Sequence, residues 1–188
     1  PGLGQSEATR GRVRELLACD VPLVLDADAL NLLSPASGAW RERKAATLLT
    51  PHPGEMARLL DCTRDEVQIE RVGQSVGLAQ REGGLVILKG ARTVVTDGTH
   101  IYVNRTGNPG MATGGTGDVL SGLLGALLAQ RFDPFDAAVL GVFLHGLAGD
   151  LAAERVGEVS LIATDLLETL PLAIQRYRGG KGTEDLRE

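Results

Sequence analysis

The chain has 188 residues, 43% of them hydrophobic and 23% charged, which fits one globular domain with a sizeable core. A net charge of -5 and only one Trp, two Tyr and three Phe argue against a broadly basic nucleic-acid surface and against base-stacking platforms. Uncharged runs reach about a dozen residues where a membrane span needs roughly 20, so no membrane span is predicted.

Strands and helices alternate in the first half of the chain. Ser6 is predicted to cap a helix that continues to about Cys19, and we expect Val13, Leu16 and Leu17 to face the core. Buried strands and helical segments then follow in turn, with strands over 22–25, 46–49 and 85–88 and helices over 29–33, 53–60 and 64–81.

The second half begins with a predicted hairpin. Two apolar stretches, 93–96 and 100–103, flank Asp97-Gly98, a pair that suits the positive φ angles of a tight turn. The polar, glycine-rich stretch 104–116 follows. A helix is then predicted from near Gly117 to Gln130, with an apolar face made of Leu120, Leu123, Leu124, Leu127 and Leu128.

Two more helices complete the predicted elements. Asp133 is expected to cap a long apolar helix that has Pro134 in its first turn and ends near Glu154. Thr164 is expected to cap the last helix, running to about Tyr177 and bent or broken before Pro171. The polar residues that follow this helix are predicted to form a tail.

This order of elements predicts an α/β fold, with a mainly parallel central sheet flanked by helices and an antiparallel hairpin portion. Ligands of such sheets bind beyond the carboxyl ends of the strands. Asp26, the segment 50–52 and Lys89 all follow predicted strands. We therefore expect these polar side chains to meet at one edge of the sheet.

The strongest local signal is the stretch 108–118, with Gly114, Gly115 and Gly117 directly before an amphipathic helix. Glycine allows successive N–H groups to point at one spot, and the first N–H groups of a helix are unpaired. Together they predict an anion cradle, although no Walker A pattern is present. The alternative is a plain glycine-rich loop followed by a first-turn acid, Asp118.

Asp118 has two readings. Beside an anion cradle, a carboxylate could take a proton from a hydroxyl while the N–H groups hold a transferring phosphoryl group. It could equally serve as a helix-capping acid.

Five other candidate residues have a structural interpretation beside the functional one. Lys89 could contact phosphate or be a solvated strand terminus. His52 lies between two prolines, so it is either a directed ligand or a turn histidine bonded to backbone. Asp26 and Asp28 could bind a metal or cap the strand end and the following helical turn. Asn31 has the same ambiguity.

The remaining histidines and the cysteines predict structural roles. His145 lies on an apolar helix among glycines and is expected to be a satisfied core histidine, whereas His100 is expected at the surface of the hairpin. Cys19 and Cys62 have no neighbouring metal ligand, which indicates two plain thiols in a reducing, cytoplasmic setting and no structural zinc.

Five segments occur in an order that closely resembles one family: 1–4, 25–31, 49–55, 87–90 and 108–118. The family is the ADP/ATP-dependent NAD(P)H-hydrate dehydratases, a carbohydrate-kinase-like group with a ribokinase-like fold. The resemblance covers residues 1–178 as one domain and leaves 179–188 as the tail. The glycine-Asp element alone would indicate only the wider ribokinase-like group.

The resemblance implies repair of damaged nicotinamide cofactor. The 6-hydroxyl of hydrated NADH or NADPH would be phosphorylated by ADP or ATP, with Mg²⁺ accompanying the nucleotide phosphates. Loss of phosphate would restore the dihydronicotinamide, so the net reaction is that of a lyase. ADP is expected if the source is bacterial, and relatives of this kind imply a homo-oligomer, a tetramer, without membrane or nucleic-acid partners.

The resemblance also implies residue roles. Asp118 would be the catalytic base. The anion hole would comprise Gly115, Thr116 and Gly117. The nucleotide site would comprise Lys89, Gly90, Ala91, Arg92, Thr93 and Gly117. The hydrated dinucleotide would contact Gly4, His52, Asn108 and Asp118. No metal ligands are assigned.

Two alternatives stay open. One is a ribokinase-like kinase of another small molecule, for which a stable phosphorylated product is expected. The other is a nucleotide-binding or oligomer-forming module without turnover. The latter is suggested because the chain opens at Pro1 without an initiator Met, whereas family members carry a further segment before 1–4. The chain is therefore expected to be a fragment.

Overall fold

A five-stranded sheet forms the centre of the computed structural model, which describes residues 1–34 and 39–180. The strands lie in the order β1 (Leu23–Leu25), β2 (Thr47–Leu49), β3 (Leu85–Leu88), β4 (Val94–Thr96) and β5 (Ile101–Val103). The first three run parallel, and the hairpin β4–β5 extends the sheet in antiparallel pairing. The predicted α/β fold is therefore confirmed.

Eight helices cover the sheet within these described ranges. They are α1 (Glu7–Leu17), α2 (Asp28–Leu33), α3 (Pro53–Leu60), α4 (Arg64–Ile69), α5 (Arg71–Glu82), α6 (Thr116–Ala129), α7 (Pro134–Val156) and α8 (Ala163–Arg178). Two 3₁₀ turns, Pro109–Met111 and Glu158–Ser160, lie between them. As predicted, Ser6 caps α1 and Asp133 caps α7 through side-chain oxygens that accept backbone N–H groups.

The core has two layers, one on each face of the sheet. Successive side chains of a strand point to opposite faces, so Leu49 and Val86 pack against the helices α1 to α5. Leu48 and Ile87 pack on the other face against α6 and α7. Each of these side chains is fully buried, and each contributes about 1.5–3 kcal/mol relative to exposure.

Some helix boundaries and faces differ from the predictions. Leu16 is 48% exposed because α1 buries only a narrow stripe, with Val13 in the core and Leu17 beside it. The helix predicted over 64–81 is two helices, because Glu70 leaves helical geometry with φ -122° and ψ 45°. The break places the start of α5 so that Arg71 reaches the carbonyl groups at the end of β3.

The last helix is also corrected. Helix α8 begins at Ala163, where Asp165 accepts the N–H of Ile162, so Thr164 is not the cap. The helix continues through Pro171 without a break. Pro171 has no N–H to donate to the carbonyl oxygen of Leu167, four residues earlier, and Leu167 is itself 53% exposed. The predicted tail lies outside the described residues from 181 onward.

Helix α7 has the length and composition of a membrane span, although the uncharged runs of the sequence predict none. It has 23 residues and a mean hydropathy of 1.4 over its most apolar window, values that suffice for a membrane span. Counting uncharged runs missed it because isolated acids interrupt the apolar sequence. Of that window, 61% is buried inside the protein, where α7 packs against α6 and α8. Its apolar side chains are therefore used in the core.

Candidate active site

The carboxyl ends of the three parallel strands meet, as predicted. The N–H of Thr50 donates to the carbonyl of Leu25 at 3.1 Å, and the N–H of Lys89 donates to the carbonyl of Pro51 at 2.9 Å. The Nζ of Lys89, which follows β3, lies 2.6 Å from Oδ1 of Asp26, which follows β1. Residues that follow β1, β2 and β3 therefore form one contiguous polar cluster.

A buried ion pair lies at the centre of this cluster. Asp26 is 1% exposed, and its second oxygen accepts a hydrogen bond from Ser121 Oγ at 3.0 Å. Lys89 is 20% exposed and also lies 4.0 Å from Oε2 of Glu55. A buried carboxylate is costly unless it is paired and hydrogen-bonded, and here both oxygens of Asp26 have partners. Lys89 is accordingly an anchored cation rather than a solvated strand terminus.

The glycine turn begins α6 directly above this ion pair. Gly115, with φ +92°, is the N-cap, and its carbonyl accepts the N–H groups of Asp118 and Val119. Within the described ranges, the N–H groups of Gly115, Thr116 and Gly117 have no protein acceptor. These three unpaired amides at a helix start fit the predicted anion cradle.

Gly117 brings the cradle and the cation together. A Cβ added to Gly117 would lie 3.3 Å from Lys89 Nζ and 3.6 Å from Asp26 Oδ2. The ammonium group therefore contacts the backbone that carries the free amides. A full positive charge and the helix dipole both favour an anion at this point.

Asp118 is exposed and occupies the third position of α6. Across the part of the chain that the structure describes, its carboxylate has no hydrogen-bond or ion-pair partner, so it does not cap the helix through a side-chain bond. It stands one residue beyond the free amides and is accessible to a substrate hydroxyl.

The stretch before the cradle is seated on α7. Thr106 Oγ1 donates to the carbonyl of Phe143 at 3.0 Å, and Asp150 accepts the N–H of Gly107 at 2.8 Å. This approach requires glycine at position 146, because a Cβ there would overlap Thr106 Oγ1 and lie 2.7 Å from the Thr106 backbone. A Cβ at Gly149 would overlap the side chain of Met111. The packing holds the loop in a fixed position relative to α7.

Asn108 has both ends of its side chain engaged in this loop. Its Oδ1 accepts the N–H of Gly110 at 3.1 Å, and its Nδ2 donates to Asp150 at 3.0 Å. These bonds support the shape of the cleft. A direct contact between Asn108 and substrate stays a prediction.

His52 caps α3 through an imidazole nitrogen. Its Nδ1 accepts the N–H groups of Gly54 and Glu55 at 2.9 and 3.3 Å, while Glu55 Oε2 accepts the N–H of His52 at 2.8 Å. Burial lowers the pKa of His52, with charge from Glu55 opposing the shift. His52 is therefore a turn histidine bonded to backbone, which was one of its two predicted roles. Half of its side chain is still exposed to solvent, where a ligand could contact it.

The predicted nucleotide segment forms a tight loop after β3. Gly90 has φ +127° and Arg92 has φ +56°, and Thr93 Oγ1 donates to the carbonyl of Gly90 at 2.9 Å. Ala91 and Arg92 are exposed, while Arg71 donates to the Lys89 carbonyl from behind the loop at 3.2 Å. The loop continues directly from the anchored lysine.

Gly4 lies at the other predicted substrate position, beside α2. Its N–H donates to Asp28 Oδ2 at 2.8 Å, and this bond together with one from Gln5 lowers the pKa of Asp28. Asn31 Oδ1 accepts Arg58 Nε at 2.8 Å. Asp28 and Asn31 thus have protein partners, and Asp26 is paired with lysine, which favours the structural alternative for all three.

Sequence reasoning missed several supporting residues. Ser121, on α6, bonds Asp26, and Asp150, on α7, bonds the glycine-rich loop, yet neither residue belongs to a recognised motif. A signal existed for Ser121, since it lies one helical turn after Asp118 and interrupts an apolar face. Glu55 also belongs to the cluster, since it is 4% exposed and lies 4.0 Å from the ammonium group of Lys89.

Magnesium can be tested against these groups. Within residues 1–34 and 39–180, no group of three or more His, Cys, Asp or Glu side chains could hold a metal alone. Both oxygens of Asp26 already have partners, Lys89 and Ser121, so the nearest buried carboxylate is not free to hold a metal by itself. The site therefore fits Mg²⁺ that arrives on nucleotide phosphates better than a resident metal.

The sheet order, the cluster at the carboxyl ends of the parallel strands and the glycine turn before α6 define a ribokinase-like protein. A sequence profile described as NAD(P)H-hydrate dehydratase matches residues 1–172, and the chain belongs to this family. The fold class and the family predicted from the sequence are therefore confirmed.

Solved structures and curated relatives agree. A structure titled as ADP/ATP-dependent NAD(P)H-hydrate dehydratase from Bacillus subtilis, co-crystallised with ATP/Mg²⁺ and soaked with CoA, is 34% identical with a TM-score of 0.86, covering 94% of this chain and 64% of that one. A bifunctional NAD(P)H-hydrate repair enzyme Nnr of Moorella thermoacetica is 46% identical over 178 residues, covering 93% of this chain. An ADP-dependent (S)-NAD(P)H-hydrate dehydratase of Neisseria meningitidis is 44% identical over 161 residues, 83% of this chain and 54% of that protein.

The chain spans about a third of the length of the bifunctional relatives that it matches, for example 33% of the length of the Moorella protein.

Proposed function

We propose that this chain carries the phosphoryl-transfer site of an ADP- or ATP-dependent NAD(P)H-hydrate dehydratase. The observation that carries the proposal is one juxtaposition. Three amides at Gly115, Thr116 and Gly117 are unpaired, the anchored ammonium of Lys89 lies next to Gly117, and the exposed Asp118 follows Gly117 directly in the chain. Family membership supplies the substrate, hydrated NADH or NADPH.

The first chemical step is transfer of a phosphoryl group. Asp118 accepts the proton of the 6-hydroxyl as the hydroxyl oxygen attacks the terminal phosphorus of the nucleotide, whose bridging oxygen leaves with AMP or ADP. The amides of the glycine turn and the Lys89 ammonium stabilise the negative charge on the transferring group. Bound Mg²⁺ would neutralise further phosphate charge.

The second step is elimination. Phosphate leaves carbon 6 with the bonding electron pair, the neighbouring ring carbon loses a proton, and the dihydronicotinamide double bond forms. Atoms balance as loss of water from the hydrated cofactor and hydrolysis of one phosphoanhydride bond. The net reaction is therefore that of a nucleotide-dependent lyase.

The binding roles follow the positions around the cleft. The loop of Lys89, Gly90, Ala91, Arg92 and Thr93 would hold the nucleotide with Gly117. Gly4, His52, Asn108 and Asp118 would hold the hydrated dinucleotide. The exposed part of the His52 ring and the exposed Ala91 and Arg92 support this assignment.

We further propose that residues 1–178 act as one domain of a soluble, cytoplasmic homo-oligomer, a tetramer. Apolar side chains left open on α8, Leu167, Leu172 and Ile174, support self-association. Light scattering after size exclusion tests this, and a monomer at micromolar concentration would contradict it.

The activity is tested by incubating hydrated NADH with Mg²⁺ and either ADP or ATP and following the return of NADH absorbance. Recovery that requires the nucleotide supports the dehydratase. A stable phosphorylated product would instead indicate a small-molecule kinase, and nucleotide binding without any product would indicate a binding module.

Asp118→Asn is expected to lower turnover by about 100-fold or more, as for loss of a general base, while nucleotide binding persists. Asp136→Asn is the matched control, because Asp136 is likewise the exposed third residue of a helix. Both variants remove similar charge–dipole stabilisation, about 0.3–1 kcal/mol, so only the base role separates them. Near-normal turnover of Asp118→Asn would remove Asp118 from the mechanism.

A further inference from the structure

Helix α7 contacts the residue that begins α6, next to the glycine turn. The Nε2 of His145, on α7, lies 2.8 Å from the carbonyl oxygen of Thr116. A carbonyl oxygen can only accept, so Nε2 carries a hydrogen and donates it. Burial lowers the pKa of His145 to about 4, so the ring is neutral near pH 7 and its single N–H is the one that faces Thr116.

This bond restrains one peptide unit of the anion cradle. The carbonyl of Thr116 and the N–H of Gly117 belong to the same planar trans peptide, in which the two groups point in opposite directions. A second bond on the carbonyl oxygen, beside the helical one from Leu120, therefore further restrains the direction of the Gly117 N–H. That N–H is one of the three amides without a protein acceptor in the described part of the chain.

The other bonds of Thr116 act on its side chain and on the same carbonyl. Thr116 Oγ1 donates to the carbonyls of Met111 and Thr113, at 2.9 and 3.0 Å, and so ties the side chain to the preceding loop. The carbonyl oxygen accepts the N–H of Leu120 within the first turn of α6, and His145 adds a second bond to that oxygen from outside the helix. Because its N–H also polarises the amide, it makes Gly117 a stronger donor.

We propose that His145 is a positioning residue, which aims and polarises the Gly117 amide toward the transferring phosphoryl group. The proposal rests on the phosphoryl-transfer function given above. Since the ring is neutral, it acts through direction and not through added charge. Its contribution is therefore greatest when charge builds up on the transferring group, so its loss should lower kcat more than it weakens nucleotide binding.

The test separates this role from a merely structural one. His145→Phe fills the space without a donor, and His145→Gln keeps an N–H that can reach a carbonyl. We expect His145→Phe to lower kcat about 10-fold or more, part of the about 10²–10³ lost when an oxyanion donor is removed, with the nucleotide KM changed less than about threefold. His145→Gln should recover most of kcat, and His100→Phe, at the exposed hairpin, should match the unchanged protein.

Equal losses of kcat in the Phe and Gln variants, or a change confined to melting temperature, would overturn the proposal. A second measurement serves where His145→Phe fails to fold. Nitrogen NMR of the unchanged protein should show the Nε2–H tautomer at His145. On addition of ADP, Mg²⁺ and beryllium fluoride, the Gly117 amide proton should shift downfield, and by less in His145→Ala, which has no donor, than in the unchanged protein.

The NMR experiment also separates the two proposals. An Nδ1–H tautomer, or a Gly117 amide that responds equally in both proteins, would overturn the role of His145 whatever the activity. If the tautomer and the amide shifts are as expected but hydrated NADH is not converted, the positioning role stands and the dehydratase activity fails.

Discussion

The buried ion pair between Asp26 and Lys89 gives a quantitative test of the site. Asp26→Asn keeps the shape of the side chain and an acceptor for Ser121, but it removes the charge that holds the ammonium group. Breaking a buried pair from one side costs about 3–5 kcal/mol when the remaining charge has no relief. Lys89 is 20% exposed and has Glu55 4.0 Å away, so part of that cost is relieved.

We therefore expect the free energy of unfolding to fall by about 2–3 kcal/mol, or about 5–10 °C in melting temperature for a chain of this size. Urea unfolding of the ligand-free protein measures it. Lys89→Met and the double variant complete a mutant cycle, in which the double variant should be destabilised by much less than the sum of the single changes.

The outcome that refutes the reasoning is specific. If Asp26→Asn costs less than about 1 kcal/mol and the two changes are additive, the pair is not a coupled buried interaction. Asp28→Asn serves as the control, because Asp28 is also next to β1 but bonds Gly4 and Gln5 near the surface.

Three further outcomes follow from the same contacts. Gly146→Ala should destabilise the protein by about 1–3 kcal/mol in urea unfolding, since its Cβ would lie 2.7 Å from the Thr106 backbone. Gly122→Ala, in open space on α6, is the control and should leave the free energy of unfolding unchanged or raise it by up to about 1 kcal/mol. Equal effects of the two changes would contradict the close packing at Gly146. Because the folded-state pKa of His145, about 4, lies below its unfolded value of 6.5, the unfolded state binds the extra proton between those pH values, so the free energy of unfolding should fall by about 2–3 kcal/mol as pH drops from 6.5 to 4. Urea unfolding across that range should show a smaller fall in His145→Gln. Lys89→Ala should chiefly weaken ATP binding in calorimetry, and an unchanged affinity would count against its assignment.

Much of the fold could be predicted because local signals agreed with the tertiary structure. The strand-ending Asp26 and Lys89, the Asp97-Gly98 turn and the glycine turn before α6 each carry a short-range cause that survives packing. The errors lie where tertiary contacts decide. The break at Glu70 has no glycine or proline to announce it, and the last helix continues through Pro171 although proline usually bends or ends a helix.

The candidate site could be predicted in its motifs but not in its connections. A sequence places Lys89 after a strand and Asp26 after another, yet only the sheet order brings them within 2.6 Å. His145 was correctly predicted as a satisfied core histidine, but its partner, the Thr116 carbonyl, lies 29 residues away. Backbone acceptors of this kind leave no trace in residue identity.

The central claim is that the glycine turn holds the transferring phosphoryl group beside Asp118. A crystal structure of the protein with Mg²⁺ and a non-hydrolysable ATP analogue tests it most directly. The account predicts terminal phosphate oxygens within hydrogen-bond distance of the Gly115, Thr116 and Gly117 amides, with the Asp118 carboxylate facing the same phosphorus. Phosphates bound elsewhere, with those amides in contact with solvent alone, would contradict it.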